Sequence, residues 1–285
     1  MNYKPTGSLK AFIAAGKNKT RVLGSVERHV LSKPAGDGRS WQYLHPSDMV
    51  STEWCYRASY YHLLGHEPVQ KERGFRIMSV FEEGHAIHNK WQTWLKEMEV
   101  LYGKYRCLEC GTTFFGLPTD HDPKLHPKDF EYLEVPLLYE PLKIAGHSDG
   151  WIRGLGDDMM LEIKSIGVGT LRWEAPELLM DNKNDFDKAW KQINAPFGKH
   201  VSQVQLYMKL AELLYPDNHP KEAVIIYEAK PNQEVKEFVV TKSDFQISGI
   251  LEAAERIVKA VEAKEPLECN IGGSWNCDRC RDYKD

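Results

Sequence analysis

No apolar run in this 285-residue sequence approaches the roughly 20 residues needed to cross a bilayer, so neither a membrane-spanning chain nor a membrane partner is expected. Nor is a secretory signal expected. The first residues bring Lys4, Lys10, Lys17, Lys19 and Arg21 with no acid before Glu27, which reads as a basic N-terminal arm over residues 1–44. There is no excess of positive charge: the formal net charge of -4 argues against a nonspecific DNA coat and leaves any nucleic-acid binding to a local basic surface. Repeats and low-complexity tracts are missing, which excludes solenoid arrays. Cysteine is sparse, with 6 in the chain, and clustered as Cys107-x-x-Cys110 and as Cys269 with Cys277-x-x-Cys280, with Cys55 alone. That clustering suits metal ligation better than a disulfide framework.

What is present suits a soluble globular protein with a sizeable core: 42% of residues are hydrophobic and 27% charged. Residues from about 40 to 65 suggest an aromatic-rich helix through Cys55, Tyr60, Tyr61 and Leu64, capped by Ser47 or Asp48 and stopped by Gly65. The next helix carries Ile77, Phe81, Gly84, His88, Trp91, Leu95 and Met98 at alternating spacings of four and three, so His88 lies in an apolar stripe. On those grounds it is either a satisfied core histidine or a ligand. Strands are expected at 131–138, 142–153 and 158–165, then a polar connection over 166–200 with one helix around Phe186 to Ile193. A helix from about Val201 to Tyr215 sets Gln203 and Tyr207 on one face. Strands over 223–229 and 235–240 precede a long helix from Asp244 to about Lys264, with Ser243 and Gln246 as its capping box. This order predicts an α/β fold with a mixed central sheet flanked by helices.

The most informative stretch is Gly146-His147-Ser148-Asp149-Gly150 followed by Leu161-Glu162-Ile163-Lys164. As two strands joined near Leu155-Gly156, their pairing centre falls halfway between Asp149 and Glu162, which should therefore lie opposite each other. Side chains alternate along a strand, so Lys164 shares the face of Glu162 while Leu161 and Ile163 point into the core. Two adjacent carboxylates suit a hard divalent cation such as magnesium or manganese. A surface hairpin with a salt bridge would use the same residues.

An excursion from Tyr105 to about Phe130 carries Cys107, Cys110, His121 and His126, a zinc-knuckle-like set of two thiolates and two imidazoles within residues 105–130. A structural zinc ion there would replace a core that so short a segment cannot build. Two buried thiols and two loop histidines are the alternative.

Taken in order, Gly84-x-x-x-His88, Gly146-x-x-Asp149, Glu162-x-Lys164 and Gln203-x-x-x-Tyr207 resemble the motifs of the PD-(D/E)XK nuclease superfamily, specifically its RecB-like branch of CRISPR-associated and phage exonucleases. The resemblance covers residues 45–285. It implies a restriction-endonuclease-like core and metal ligation by His88, Asp149, Glu162 and the carbonyl of Ile163. It further implies that Lys164 lies beside the attacking water and that Gln203 and Tyr207 position substrate or support the site. The terminal cysteines resemble the same branch: Cys55 before the core and Cys269, Cys277 and Cys280 after it, in a clasp over 266–285, would hold a four-iron four-sulfur cluster. The spacing departs from the branch's usual order, and a four-cysteine zinc site or structural thiols remain alternatives.

The implied activity is metal-dependent hydrolysis of DNA at single-stranded or linear ends, in recombination, repair or replication of a phage or bacterium, with a cytoplasmic location. A CRISPR adaptation nuclease that trims spacer precursors, and a metal-stabilised nucleic-acid binder without catalysis, are the alternatives. For the substrate path, Lys183, Lys188, Lys191, Lys199 and His200 interleave with Trp190 and Phe197, a pattern that fits phosphate contacts and base stacking or an ordinary solvated helix.

Overall fold

The computed structural model describes residues 21–33, 39–67, 73–121 and 129–271. The chain divides into two compact units, Met1–Arg39 with Gln70–Glu83 and Ser40–Val69 with Gly84–Asp285. In the first, helix α1 (Arg21–Leu31) falls within the expected basic arm and ends with Arg28 and His29, cations suited to the negative end of a helix.

The second unit carries the sheet and the candidate site. It begins with two short helices, α2 (Pro46–Met49) and α3 (Tyr56–Leu63), in place of one capped by Ser47 or Asp48. The physical reason is a local cap: the Cys55 side chain accepts the Ala58 N–H and starts α3 afresh. Gly65, at φ +94°, lies just past the end of α3, as the sequence suggests. In helix α4 (Phe75–Glu97) the residues from Gly84 onward belong to this unit, and their inward face is Ile87, His88, Trp91, Gln92 and Leu95. The expected stripe is corrected at its ends. Met98 is exposed, and Ile77 and Phe81 belong to the other unit.

Strands β1 (Leu101–Cys107), β2 (Thr113–Gly116) and β3 (Phe130–Tyr132) come next, over the stretch that includes the expected inserted excursion from Tyr105 to about Phe130. β1 pairs with both β2 and β3, so the cysteine-bearing hairpin is continuous with the main sheet. β4 (Val135–Tyr139) and β5 (Ile144–Ser148) form their own antiparallel pair. β6 (Gly150–Ile152), β7 (Met159–Ile166), β8 (Glu222–Ala229) and β9 (Val235–Thr241) complete a mixed sheet in the order β2-β1-β6-β7-β8-β9, with β3 on β1. β7 and β8 run parallel and the other pairs antiparallel.

Between β7 and β8 lie α5 (Val168–Glu174), α6 (Pro176–Asp181), α7 (Phe186–Gln192) and α8 (Gly198–Leu214). The expected polar connection with a single helix thus holds three short helices, which bury Leu171, Leu179, Phe186, Ala189 and Trp190. Helices of six or seven residues commit only one to three positions to the core, too few to register as periodicity. The last helix, α9 (Ser248–Ala263), follows a separate turn at Asp244–Gln246, and Ser243 makes no side-chain cap.

β8 reads Ala223-Val-Ile-Ile-Tyr227, apolar on both faces as a central parallel strand must be. One face of β7 and β8 packs Leu161, Ile163, Val224 and Ile226 against Ile87 and Leu95 of α4. The other packs Met160, Ile166, Ile225 and Tyr227 with Val204, Leu206 and Met208 of α8. The architecture is the mixed α/β sheet with flanking helices that the sequence predicts. Among the described residues no helix is long and apolar enough to cross a membrane.

Candidate active site

The pairing of Gly150 with Leu161 and Trp151 with Met160 continues to place Asp149 opposite Glu162. Asp149 occupies the single residue between β5 and β6, and β6 accompanies β7 only as far as Leu161. From Glu162 onward no strand lies beside β7 on that side among the described residues. A carboxylate takes up the vacant bond: Asp149 Oδ2 accepts the Ile163 N–H at 2.5 Å. A strand residue directs its N–H and C=O towards the same neighbour, so the Ile163 carbonyl faces this edge too.

Asp149 is fixed from three directions. Its Oδ1 lies 3.3 Å from His88 Nδ1, and its backbone carbonyl accepts the Tyr132 hydroxyl at 3.0 Å and Gln92 Nε2 at 3.2 Å. The chain bends tightly here. A Cβ at Gly146 would lie 3.1 Å from Pro46 and 3.2 Å from the Tyr207 ring, and one at Gly150 would run into Leu101 and the Tyr132 hydroxyl.

Lys164 Nζ lies 2.6 Å from Glu162 Oε1 and donates to Gln203 Oε1 at 3.0 Å, while Gln203 Nε2 donates to the Tyr207 hydroxyl at 3.0 Å. Gln203 and Tyr207 share one face of α8, as their spacing of four predicts. The relay therefore runs from helix to amide to ammonium to carboxylate. Glu162 is 3% exposed and Asp149 8%, so both carboxylates sit in a poorly solvated place.

The electrostatics follow from that burial. It pushes the Glu162 carboxyl up to about 7, with Lys164 drawing it down and Asp149 raising it further. For His88 burial disfavours the imidazolium, but the Asp149 carboxylate, its hydrogen bond and Glu162 together outweigh it, and the pKa lies above the usual value. Glu134, whose Oε1 accepts Gln92 Nε2 at 3.3 Å, is raised by burial and then by Asp149. The cluster thus holds more negative charge than its burial favours. Oxygen donors with surplus charge are what a divalent cation needs. As the side chains stand, Glu162 is turned towards Lys164 and Asp149 towards Ile163, and the three candidate ligand side chains do not close into one tight group.

Gln92, Tyr132 and Glu134 are parts of this site that the motifs do not contain. Gln92 carried a legible signal, a polar residue four positions after His88 on the same helical face; Tyr132 and Glu134 lie in and just after a short strand and carried none.

The other candidates divide. Lys188 is exposed and paired with Asp185 at 3.2 Å, and Lys199 lies 3.9 Å from Glu174. Trp190 does not fit base stacking: it is 1% exposed, stacked on Phe186 and covered by the Lys236 ammonium. His200 does not fit a phosphate-binding cation: burial, then Lys164 and Lys199, lower its pKa to about 2, and Nδ1 lies 2.5 Å from the Tyr227 hydroxyl. Cys107, Cys110 and His121 come together, with one ligand atom of each within 4.8 Å of the others; His126 lies outside the described residues. Cys55 is buried beside the start of α3, and Asn270 accepts the Tyr56 N–H at 2.9 Å and donates to the Trp54 carbonyl at 2.8 Å. The segment holding Cys269 is therefore tied to both neighbours of Cys55, whereas Cys277 and Cys280 lie outside the described residues.

No family model matches the sequence, and no curated protein matches it either. Among solved structures the chain is similar to the alkaline exonuclease LHK-Exo from Laribacter hongkongensis, at 10% identity, TM-score 0.40, over 79% of this chain and 90% of that one. The same exonuclease in complex with dAMP gives 10% identity and TM-score 0.43 over the same shares. A protein described as SSO0001 gives 12% identity and TM-score 0.38 over 85% of this chain and 86% of that one. Likeness this remote does not specify an activity, which has to come from the residues themselves.

Proposed function

We propose that this chain is a divalent-metal-dependent deoxyribonuclease of the RecB-like PD-(D/E)XK type, acting on linear or single-stranded DNA ends. The observation that carries it is the convergence of Asp149, Glu162, His88 and Lys164 beside the middle of β7, with Gln203 and Tyr207 behind the lysine. Chance salt-bridged hairpins have no reason to gather a second helix's amide and a histidine around the same two acids.

The donor set fits magnesium or manganese, with Asp149, Glu162, the Ile163 carbonyl and His88 as the residues that would hold the ion. When bound, such an ion makes water nucleophilic near neutral pH and offsets charge on the phosphoryl oxygens. The protein's own part is positioning. An ammonium has three donors, and Glu162 and Gln203 occupy two of those on Lys164, which leaves one for the attacking water or a phosphoryl oxygen. The Gln203–Tyr207 bond fixes which way that donor points. Exposed Lys188 and half-buried Lys199 would meet DNA phosphates as point charges. Cys55 and Cys269, together with Cys277 and Cys280, would hold an iron–sulfur cluster or zinc that clasps the ends of the domain.

The test is digestion of end-labelled linear and circular DNA, single- and double-stranded, with magnesium or manganese. Linear substrate should be degraded, and Lys164→Ala should lose at least about 100-fold of the rate while melting as the native protein does. Salt-dependent binding without any cleavage would replace this reading with that of a binding module. Cleavage undiminished in Lys164→Ala would place the chemistry elsewhere.

A further inference from the structure

The tip of the β1–β2 hairpin has a second chemistry, remote in kind from the carboxylate site. Cys107 and Cys110 flank a turn in which the Cys107 carbonyl accepts the Gly111 N–H at 2.9 Å and the Cys107 N–H reaches the Thr112 carbonyl at 2.9 Å. Gly111 adopts φ +71°, a conformation that glycine adopts without strain. The turn brings both thiols to one side, and His121 joins them: Cys110 Sγ and His121 Nε2 are 3.8 Å apart, and one ligand atom from each of the three residues lies within 4.8 Å of the others. In a tetrahedral zinc site with bonds of about 2.3 Å to sulfur and about 2.0 Å to nitrogen, ligand atoms stand about 3.5 Å apart. The three side chains are therefore already near the separation that zinc requires.

We infer that Cys107, Cys110 and His121 bind a structural zinc ion, and that through β3 this ion holds the backbone of Asp149 in place. The connection is continuous. Cys107, fully buried, packs with Tyr105 and Phe130, flanked by Phe114 and Tyr132. The His121 ring stacks on Phe114 at 5.1 Å and meets Phe130 edge-on at 5.7 Å, which orients its Nε2. Tyr132, 5.0 Å from Tyr105, donates its hydroxyl to the Asp149 carbonyl at 3.0 Å. This aromatic cluster shares Tyr132 with one of the two larger cores but buries only Tyr105, Cys107 and Phe130 of its own, too little to order a hairpin alone, so a metal clip supplies what hydrophobic burial does not. The fourth tetrahedral position is left to a group beyond these three. The zinc site stands independently of the proposed nuclease activity; only its link to Asp149 bears on that site.

Titration of the metal-free full-length protein with cobalt tests the ligands. One equivalent, beyond any cobalt that the terminal cysteines take up, should give the visible bands of tetrahedral thiolate-bound cobalt at this hairpin, and zinc should displace it. Cys110→Ser and His121→Ala should each lose that equivalent, whereas Cys269→Ser and Asp149→Asn should keep it. Retention of the full signal in both Cys110→Ser and His121→Ala, or no thiolate-bound cobalt in the native protein, would overturn the site. Hydrogen exchange on the native chain tests the link without relying on any variant's folding. Zinc removal should speed amide exchange at least roughly tenfold across residues 130–134 and 149–152 and leave 224–227 unchanged. Equal protection at 149–152 with and without zinc would refute the link. Neither readout involves cleavage, so each can fail without deciding whether the protein is a nuclease.

Discussion

Asp149 and Ile163 complete a strand ladder with a side chain: the carboxylate accepts the backbone N–H at 2.5 Å where a neighbouring strand would otherwise supply a carbonyl. One oxygen thus has a structural duty, and the other, which faces His88, is the one proposed as a metal ligand. Asn at this position keeps an oxygen for the N–H but removes the charge. Asp149→Asn should therefore melt within a few degrees of the native protein while losing at least about 100-fold in metal-dependent cleavage. A variant that cleaves normally would separate Asp149 from the chemistry.

The pH dependence of stability has a defined sign. Glu162 titrates near 4.5 when unfolded and at about 7 when folded, so between these values the native state holds a proton that the unfolded chain has lost. Stability must fall as pH rises through that window. His88 acts in the same direction. Burial opposes its charge, but Asp149 prevails and raises its pKa above 6.5, so its contribution is complete below 6.5 and is lost as pH climbs through the folded value. In metal-free buffer the melting temperature should drop between about pH 5 and pH 8, less steeply in Glu162→Gln. Excess magnesium should flatten the profile by replacing the lost protons. A melting temperature that rises across this range would contradict the assignment.

The amide relay makes a graded prediction. Tyr207→Phe removes the acceptor for Gln203 Nε2 but leaves Gln203 on Lys164, whereas Gln203→Leu leaves Lys164 with Glu162 alone. Tyr207→Phe should lower kcat several-fold with KM little changed, and Gln203→Leu more. Each should cost on the order of 1 kcal/mol of stability, the worth of a net hydrogen bond. Equal kcat in all three proteins would reduce the pair to packing.

Trp190 and Lys188 separate stability from DNA contact. Trp190→Ala empties a fully enclosed site and should cost about 3–5 kcal/mol in denaturant unfolding. Lys188→Ala, exposed, should leave unfolding unchanged and reduce the slope of log affinity for DNA against log salt by about 1. An unchanged slope would remove Lys188 from the substrate path.

Much of the site was legible because its geometry is local. The hairpin centre between Asp149 and Glu162 follows from counting residues across the turn, where Gly154 and Gly156 take positive φ, and Gln203 and Tyr207 needed only helical spacing. What lay hidden is what tertiary packing decides. β1 read as part of an excursion because its apolar positions make sense only once β2 lies on one side of it and β6 and β3 on the other. Trp190 looked available for stacking because nothing in a seven-residue helix marks which side faces Lys236. Tyr132 meets the Asp149 carbonyl, and Glu134 meets Gln92, across chain separations that no local pattern records.

β7 outruns β6 at Leu161, and a strand without a neighbour is where a foreign strand adds itself. Buried charge is one of the devices by which proteins prevent this, and here Asp149 already occupies the Ile163 N–H while Glu162 and Lys164 stand beside it. The edge proposed to receive a substrate is thereby closed to another protein's backbone. Neutralising all three residues together would take away both the proposed activity and the guard against edge-to-edge aggregation.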